Sequence, residues 1–211
     1  MKSPYQVTAD LEAALCEYTG SPFAVAVNSC TAALMLAVQW NLRRHTFSDF
    51  GCLPKYGREV EIPKRTYVSV PMAIVHAGGQ TTFRDEEWRG SYQLKPLPVW
   101  DCARRFTSGM YVAGQFQCVS FATTKILGIE QGGAILCDNK KAYERFKKMR
   151  FDGRTEGVDP SEDRFDFIGH HCIMLPSIAA QLLLKLHHLP KHNEDLSPYP
   201  YPDLSKHLAF R

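Results

Sequence analysis

Between residues 59 and 137 the chain carries five short apolar runs, EVEIP (59–63), QTTF (80–83), PVWD (98–101), CVSFA (118–122) and AILC (134–137). Helix-like or Gly-rich stretches such as VPMAIVHAGG (70–79) separate them. Runs of four or five apolar residues are strand-sized, and strands alternating with helices build a mostly parallel sheet covered on both faces. A further run, FAVAVN (23–28), feeds a helix expected over 31–45, and an amphipathic helix is expected over 8–18. Residues 46–58 read as a loop, and 140–150 and 177–188 as later helices. The expectation is the α/β class, a three-layer α/β/α domain with a mostly parallel sheet. A chain of 211 residues is long enough for one such core, which is expected over 1–190. After Pro190 the sequence turns polar and proline-rich, with PYPYPD at 198–203, so 191–211 reads as an extended tail.

A net charge of +3 with no cluster of five or six basic residues argues against nucleic acid as a partner. No apolar run approaches the length of a membrane span and the N-terminus MKSPYQVTADLEAAL has no signal-peptide core, so the cytoplasm is the expected compartment. The seven cysteines are odd in number and form no C-x-x-C pair, so free thiols packed as small hydrophobes are expected. His188 and His192 have helical spacing, but Pro190 interrupts the helix between them and no acid or thiol is at hand, so no metal site is expected.

In sheets of this kind ligands bind beyond the carboxyl ends of the strands. Ser29, Tyr67, Asp101 and Lys125 all fall at or just after such ends. Most lysines are solvated charges, most strand-terminal aspartates cap a helix, and a lone tyrosine is most often core. Together, however, Lys125 and Asp101 are the minimum equipment for pyridoxal phosphate chemistry: an amine that forms a Schiff base, and an acid that keeps a pyridine nitrogen protonated. SCTAAL (29–34) adds a helix start whose N–H groups and hydroxyls suit a phosphate.

SCTAAL, PKRTY (63–67), WDCAR (100–104) and SFATTK (120–125) stand in the order and spacing of S-G-T-A-A-L, P-x-x-T-[FWY], E-D-x-A-[QH] and S-F-x-x-x-K. In this the chain resembles the DegT/StrS family of sugar aminotransferases, within the fold type I (aspartate aminotransferase-like) pyridoxal-phosphate enzymes. GHHCIMLPSIAAQLLLKL (169–186) is similar to a further helical motif of that family, and the resemblance runs over about 8–189. It implies a large domain of that fold, and conversion of a keto sugar, nucleotide-linked, to an amino sugar with an amino acid donor such as glutamate. It also implies a homodimer with its sites at the interface. Lys125 would hold the cofactor aldehyde and then move a proton, and Asp101 would pair with the ring nitrogen. Tyr67 would stack on the ring; Thr31, Ser120 and the backbone at Cys30 and Ala32 would take the phosphate, with Thr123 and Thr124 as substitutes. Family dehydratases carry histidine in place of Lys125.

The departures are as specific as the matches. Arg104 stands where the family has Gln or His near the cofactor's phenolic oxygen; Gln131 replaces an acid. His171 takes the place of an asparagine that reaches the neighbouring subunit's phosphate, Ile173 replaces a basic residue, and Cys30 replaces a glycine. Family members usually continue into a smaller C-terminal domain, so the sugar pocket is expected to be open, differently built or supplied by another subunit. A catalytically inactive relative serving as a binding or assembly protein is the alternative reading. An unrelated nucleotide-binding domain is disfavoured, because neither G-x-G-x-x-G nor G-x-x-x-x-G-K-[ST] occurs.

Overall fold

A computed structural model describes residues 5–42, 57–166 and 168–210. In chain order the elements are α1 (Gln6–Thr19), β1 (Phe23–Val27), α2 (Cys30–Leu42), β2 (Glu59–Pro63), α3 (Ser69–His76), β3 (Gln80–Arg84), β4 (Tyr92–Leu94), β5 (Val99–Asp101), β6 (Phe116–Ser120), β7 (Gly133–Cys137), α4 (Lys140–Met149) and α5 (Pro176–His187). Two short 3₁₀ turns, Leu204–Lys206 and Leu208–Phe210, follow. The end of the helix expected to reach 45, and the loop expected over 46–56, lie outside the described residues.

Alternation along each strand sorts its side chains between two cores. Val25 and Val27 of β1, Phe116 and Cys118 of β6, and Ile135 and Cys137 of β7 face α2, α3 and α4. Ala24 and Ala26, Val119, and Ala134 and Leu136 face α1 and α5, where Leu11, Leu15, Ile178 and Leu182 meet them. Helices therefore cover both faces, the three layers expected of the α/β class. Helix α2 is buried along most of its length, because the sheet, α3 and α4 surround it, and accordingly it is apolar almost throughout. Helix α4 is amphipathic instead; Asn139 caps it by accepting from Ala142 N–H at 3.0 Å.

The sheet is mixed rather than mostly parallel. Its order is β1-β7-β6-β5-β4, with β5–β6 parallel and β1–β7, β7–β6 and β5–β4 antiparallel; β2 and β3 form a separate parallel pair. The correction has a local cause. A parallel neighbour needs a crossover, usually helical, whereas β4 reaches β5 through residues 95–98 and β6 reaches β7 through residues 121–132, neither of which contains a helix. Tyr92–Leu94 was also invisible as a strand, being three residues long. The run read as 118–122 forms its strand two residues earlier, and Phe121 and Ala122 turn out of the sheet toward Lys125.

Strand direction nonetheless gathers the ends that matter. Two antiparallel steps, β1 to β7 and β7 to β6, make β1 and β6 point the same way, and β5 is parallel to β6. Glu61 and Lys95 exchange backbone hydrogen bonds (2.8 and 3.0 Å) in an antiparallel bridge that gives β2 the same direction. The carboxyl ends of β1, β2, β5 and β6 thus share one edge.

Below that edge, on the α1 side of the sheet, Arg150 is buried among acids. It donates to Glu12 and to the Ala26 carbonyl, and to Glu156 at 2.7 Å, while Lys147 reaches Glu12 at 2.9 Å. Burial works against the charge on Arg150, but Glu12 and Glu156 outweigh it and hold its pKa above the ordinary value. The network ties α1, β1 and α4 together.

Candidate active site

Each segment at the shared edge has a local reason for its shape. Ser29, leaving β1, accepts from Ala32 N–H (3.1 Å) and so caps α2. The helix starts hard against β7: a Cβ on Gly133 would lie 2.5 Å from Cys30 N and 2.6 Å from Ser29 C, so only glycine fits there. Thr31 Oγ1 lies 2.7 Å from Ser69 Oγ, which joins the starts of α2 and α3. The Cys30 thiol turns toward β6, 3.5 Å from the Cys118 carbonyl.

Asp101 ends β5 and is buried. Tyr92 Oη donates to its Oδ2 (2.8 Å) and Ala103 N–H to its Oδ1 (2.8 Å); Thr66 Oγ1 sits 2.6 Å from Tyr92 Oη and completes a buried chain. Burial raises the Asp101 carboxyl pKa, against the Ala103 and Tyr92 hydrogen bonds and the Lys125 charge. Tyr92 is pushed well above its usual value by burial and then by Asp101, so it stays a phenol that donates.

Lys125 rides the loop between β6 and β7. Its N–H donates to the Ala122 carbonyl and its own carbonyl accepts from Gly128 N–H, both at 2.9 Å, forming a tight turn. A Cβ at Gly128 would lie 2.6 Å from the carbonyl oxygens of Ala122, Thr123 and Lys125, so the turn closes only on glycine. Lys185 of α5 donates to the Gly128 carbonyl from beneath. The pKa of Lys125 is lowered, first by burial and then by the Arg104 guanidinium, against the pull of Asp101 and Cys30. An amine so placed is a better nucleophile and proton acceptor than a solvated lysine.

Arg104 is 8% exposed, and its Nε and Nη1 have no hydrogen-bond partner among the described residues. Its guanidinium carbon lies 4.8 Å from the centre of the Tyr199 ring. Tyr67 is 58% exposed at the lip, in edge contact with Tyr201 at 6.3 Å. Ser120 is buried at the end of β6, its hydroxyl only 3.5 Å from Ala122 N–H.

Asp101, Cys30 and Arg104 therefore sit within electrostatic reach of Lys125, with Thr31, Ala32, Ser120 and Tyr67 on the elements that frame them. His171 does not join them: its Nδ1 lies 2.9 Å from Asp152 Oδ2 and the residue is exposed. Tyr92, Thr66, Ser69, Tyr199 and Tyr201 were not singled out by sequence reasoning. Thr66 carried a signal, as the Thr of the P-x-x-T-[FWY] motif; the pairing of Tyr92 with Asp101 needed the hairpin.

A lysine of lowered pKa within electrostatic reach of a buried aspartate, beside a helix start at the carboxyl ends of an α/β/α sheet, is the arrangement expected of the fold type I pyridoxal-phosphate-dependent transferases. The comparisons narrow this. The model of the DegT/DnrJ/EryC1/StrS aminotransferase family matches residues 1–110 and 101–196, and the chain belongs to that family. No curated protein sequence matches it. Similar solved structures include AtS13 from Actinomadura melliaura (18% identity, 86% of this chain and 59% of that one, TM-score 0.71). The sugar aminotransferase CalS13 from Micromonospora echinospora is also similar (19%, 86% and 60%, 0.70). So is Helicobacter pylori PseC, an aminotransferase involved in the biosynthesis of pseudoaminic acid (18%, 87% and 58%, 0.64). At these identities the likeness establishes the fold, and the chain spans about three fifths of the length of these proteins.

Proposed function

We propose that the chain carries the cofactor site of a pyridoxal-phosphate-dependent aminotransferase that converts a keto sugar, nucleotide-linked, to an amino sugar with glutamate or a similar amino acid as donor. The observation that carries this reading is Lys125 itself, half-buried between Arg104 and Asp101 with its pKa lowered. The residues fit the cofactor on a second observation: two buried nitrogens of Arg104 lack an acceptor, and pyridoxal phosphate brings anionic oxygens.

Thr31, Ser120 and the backbone of Cys30 and Ala32 would hold the phosphate, where a helix start favours an anion. Tyr67 would lie on the ring, Asp101 would meet the ring nitrogen, and Arg104 an anionic oxygen. When bound, the group supplies an aldehyde that captures the donor's amino group and a ring that acidifies the adjacent C–H. Asp101, fixed by Tyr92 and Ala103, holds its position without a further side-chain cation. Lys125 would take the proton from the donor carbon onto Nζ and deliver it to the cofactor's C4′; the Arg104 charge, which lowers the lysine's pKa, favours that release.

The reading extends to a homodimer and to residues 1–190 as the fold type I large domain. Val68, Met72 and Val75, at and along α3 just past Tyr67, are exposed apolar residues on one side of that helix that a second copy could cover; the family resemblance would have His171 of one chain reach the phosphate of the other. Among the described residues no helix is long and apolar enough to cross a membrane, and the six described cysteines are free thiols; both accord with a cytoplasmic enzyme.

The test is the visible spectrum of the purified protein mixed with pyridoxal phosphate, beside a Lys125→Ala variant. A yellow band that the variant loses, and that glutamate shifts, supports the aminotransferase. A colourless wild type overturns it in favour of the inactive binding relative.

A further inference from the structure

We infer that Tyr199 is a positioning residue of the candidate active site: the segment 196–204 straps the cleft in cis, and Tyr199 braces Arg104 while leaving it free to receive an anion. The inference rests on the cofactor reading above and adds to it a part of the chain outside the family's matched motifs.

The strap is fixed at both ends. At one, Leu196 N–H donates to the Arg104 carbonyl (2.9 Å), Gly90 N–H donates to the Leu196 carbonyl (3.3 Å), and Asp195 holds Arg105 (3.0 Å). At the other, the buried Leu204 donates to the Lys64 carbonyl (2.9 Å) and Asp203 approaches Lys64 (3.8 Å). Between these anchors, among the described residues, no backbone group of 197–202 is hydrogen-bonded outside the segment. What holds the span is rings. Tyr199 lies against Arg104, and Tyr201 stacks on Trp88 (6.5 Å, 10°) and meets Tyr67 edge-on. Pro198, Pro200 and Pro202 each fix one φ, so the span is stiff before it docks and little order is lost in placing the two tyrosines. Their rings lie 6.1 Å apart.

The choice of partner for Arg104 is the informative part. A buried guanidinium is ordinarily neutralised by a carboxylate, but the nearby acid, Asp101, is engaged by Tyr92 and Ala103. An aromatic face attracts a cation without occupying its donors. Arg104 is thereby braced in position while Nε and Nη1 stay open. Tyr199, being half exposed, can be truncated without opening a core.

Tyr199→Ala, Tyr199→Phe, Arg104→Gln and the Tyr199→Ala/Arg104→Gln double variant separate the possibilities. Two quantities are read: the dissociation constant for pyridoxal phosphate, and the pH at which borohydride traps it on Lys125 half-maximally. The groups facing Lys125 are Arg104 and Asp101 beyond β5 and Cys30 at the start of α2. If Tyr199 braces Arg104, Tyr199→Ala weakens binding roughly fivefold to thirtyfold and moves the trapping profile to higher pH, because a cation has left the amine. Tyr199→Phe, which keeps the ring face, behaves as wild type. The double variant is no worse than Arg104→Gln alone. Wild-type behaviour of Tyr199→Ala, loss in Tyr199→Phe equal to that in Tyr199→Ala, or fully additive losses would each overturn the inference. A wild-type chain that binds no pyridoxal phosphate would instead overturn the parent reading, and the inference with it.

Discussion

Among the described residues two arginines are buried, and they are treated in opposite ways. Arg150 is met by Glu12, Glu156 and the Ala26 carbonyl, whereas Arg104 is met by a tyrosine face and keeps two nitrogens without acceptors. The first arrangement is what a fold does with a cation it uses as a tie. The second leaves the desolvation of Nε and Nη1 uncompensated, and folds tolerate that where a ligand supplies the missing acceptor.

The sharpest way to break the comparison is to remove charge from each network. Glu12→Ala removes one of the two carboxylates that neutralise Arg150 and the acceptor of Ala26 N–H, and is expected to destabilise by about 3 kcal/mol, read from urea unfolding; Arg104→Met strands nothing and should stay within about 1 kcal/mol of wild type. Equal losses would mean that both arginines are structural. A smaller effect is expected for Gly128→Ala, which puts a methyl among three carbonyls. It should cost about 1–3 kcal/mol and slow borohydride trapping on Lys125, because the turn that presents the amine must open; unchanged trapping would show that the turn does not set the lysine's position.

The smallest effect sharpens the Arg150 side. Burial raises the Glu156 carboxyl pKa, but Arg150 and Lys147 outweigh it and leave the value below the ordinary one. A carboxyl depressed in the folded state contributes stability that is present above its unfolded pKa and is lost as pH falls through its folded value. The urea midpoint of wild type should therefore drop on acidification below about pH 4.3 more steeply than that of Glu156→Gln. Parallel curves would remove Glu156 from the network's pH response.

The same contrast marks how far the sequence could be read. FAVAV, VWD and GAILC are apolar runs bounded by turn residues, so β1, β5 and β7 and the residues after them were legible from local pattern. Pairing was less so. Whether β7 lies parallel or antiparallel to β6 depends on a connection whose helical content is not written in the strands, and the expected parallel sheet came out mixed. Tyr92 was missed because a three-residue strand shows no alternation. Tyr199 and Tyr201 were missed for a different reason: proline-rich composition reports a stiff, extended backbone, and stiffness says nothing about where the rings dock.

The contacts that build the site span very unequal stretches of chain. Tyr92 and Asp101 are 9 residues apart, Thr31 and Ser69 are 38, and Cys30 and Cys118 are 88. Loop-closure entropy grows only with the logarithm of such separations, but it must be met before the long contacts return anything. The acid that would meet the ring nitrogen is therefore a product of local hairpin closure, while the segments that would hold a phosphate are topologically remote and depend on the whole sheet being in register.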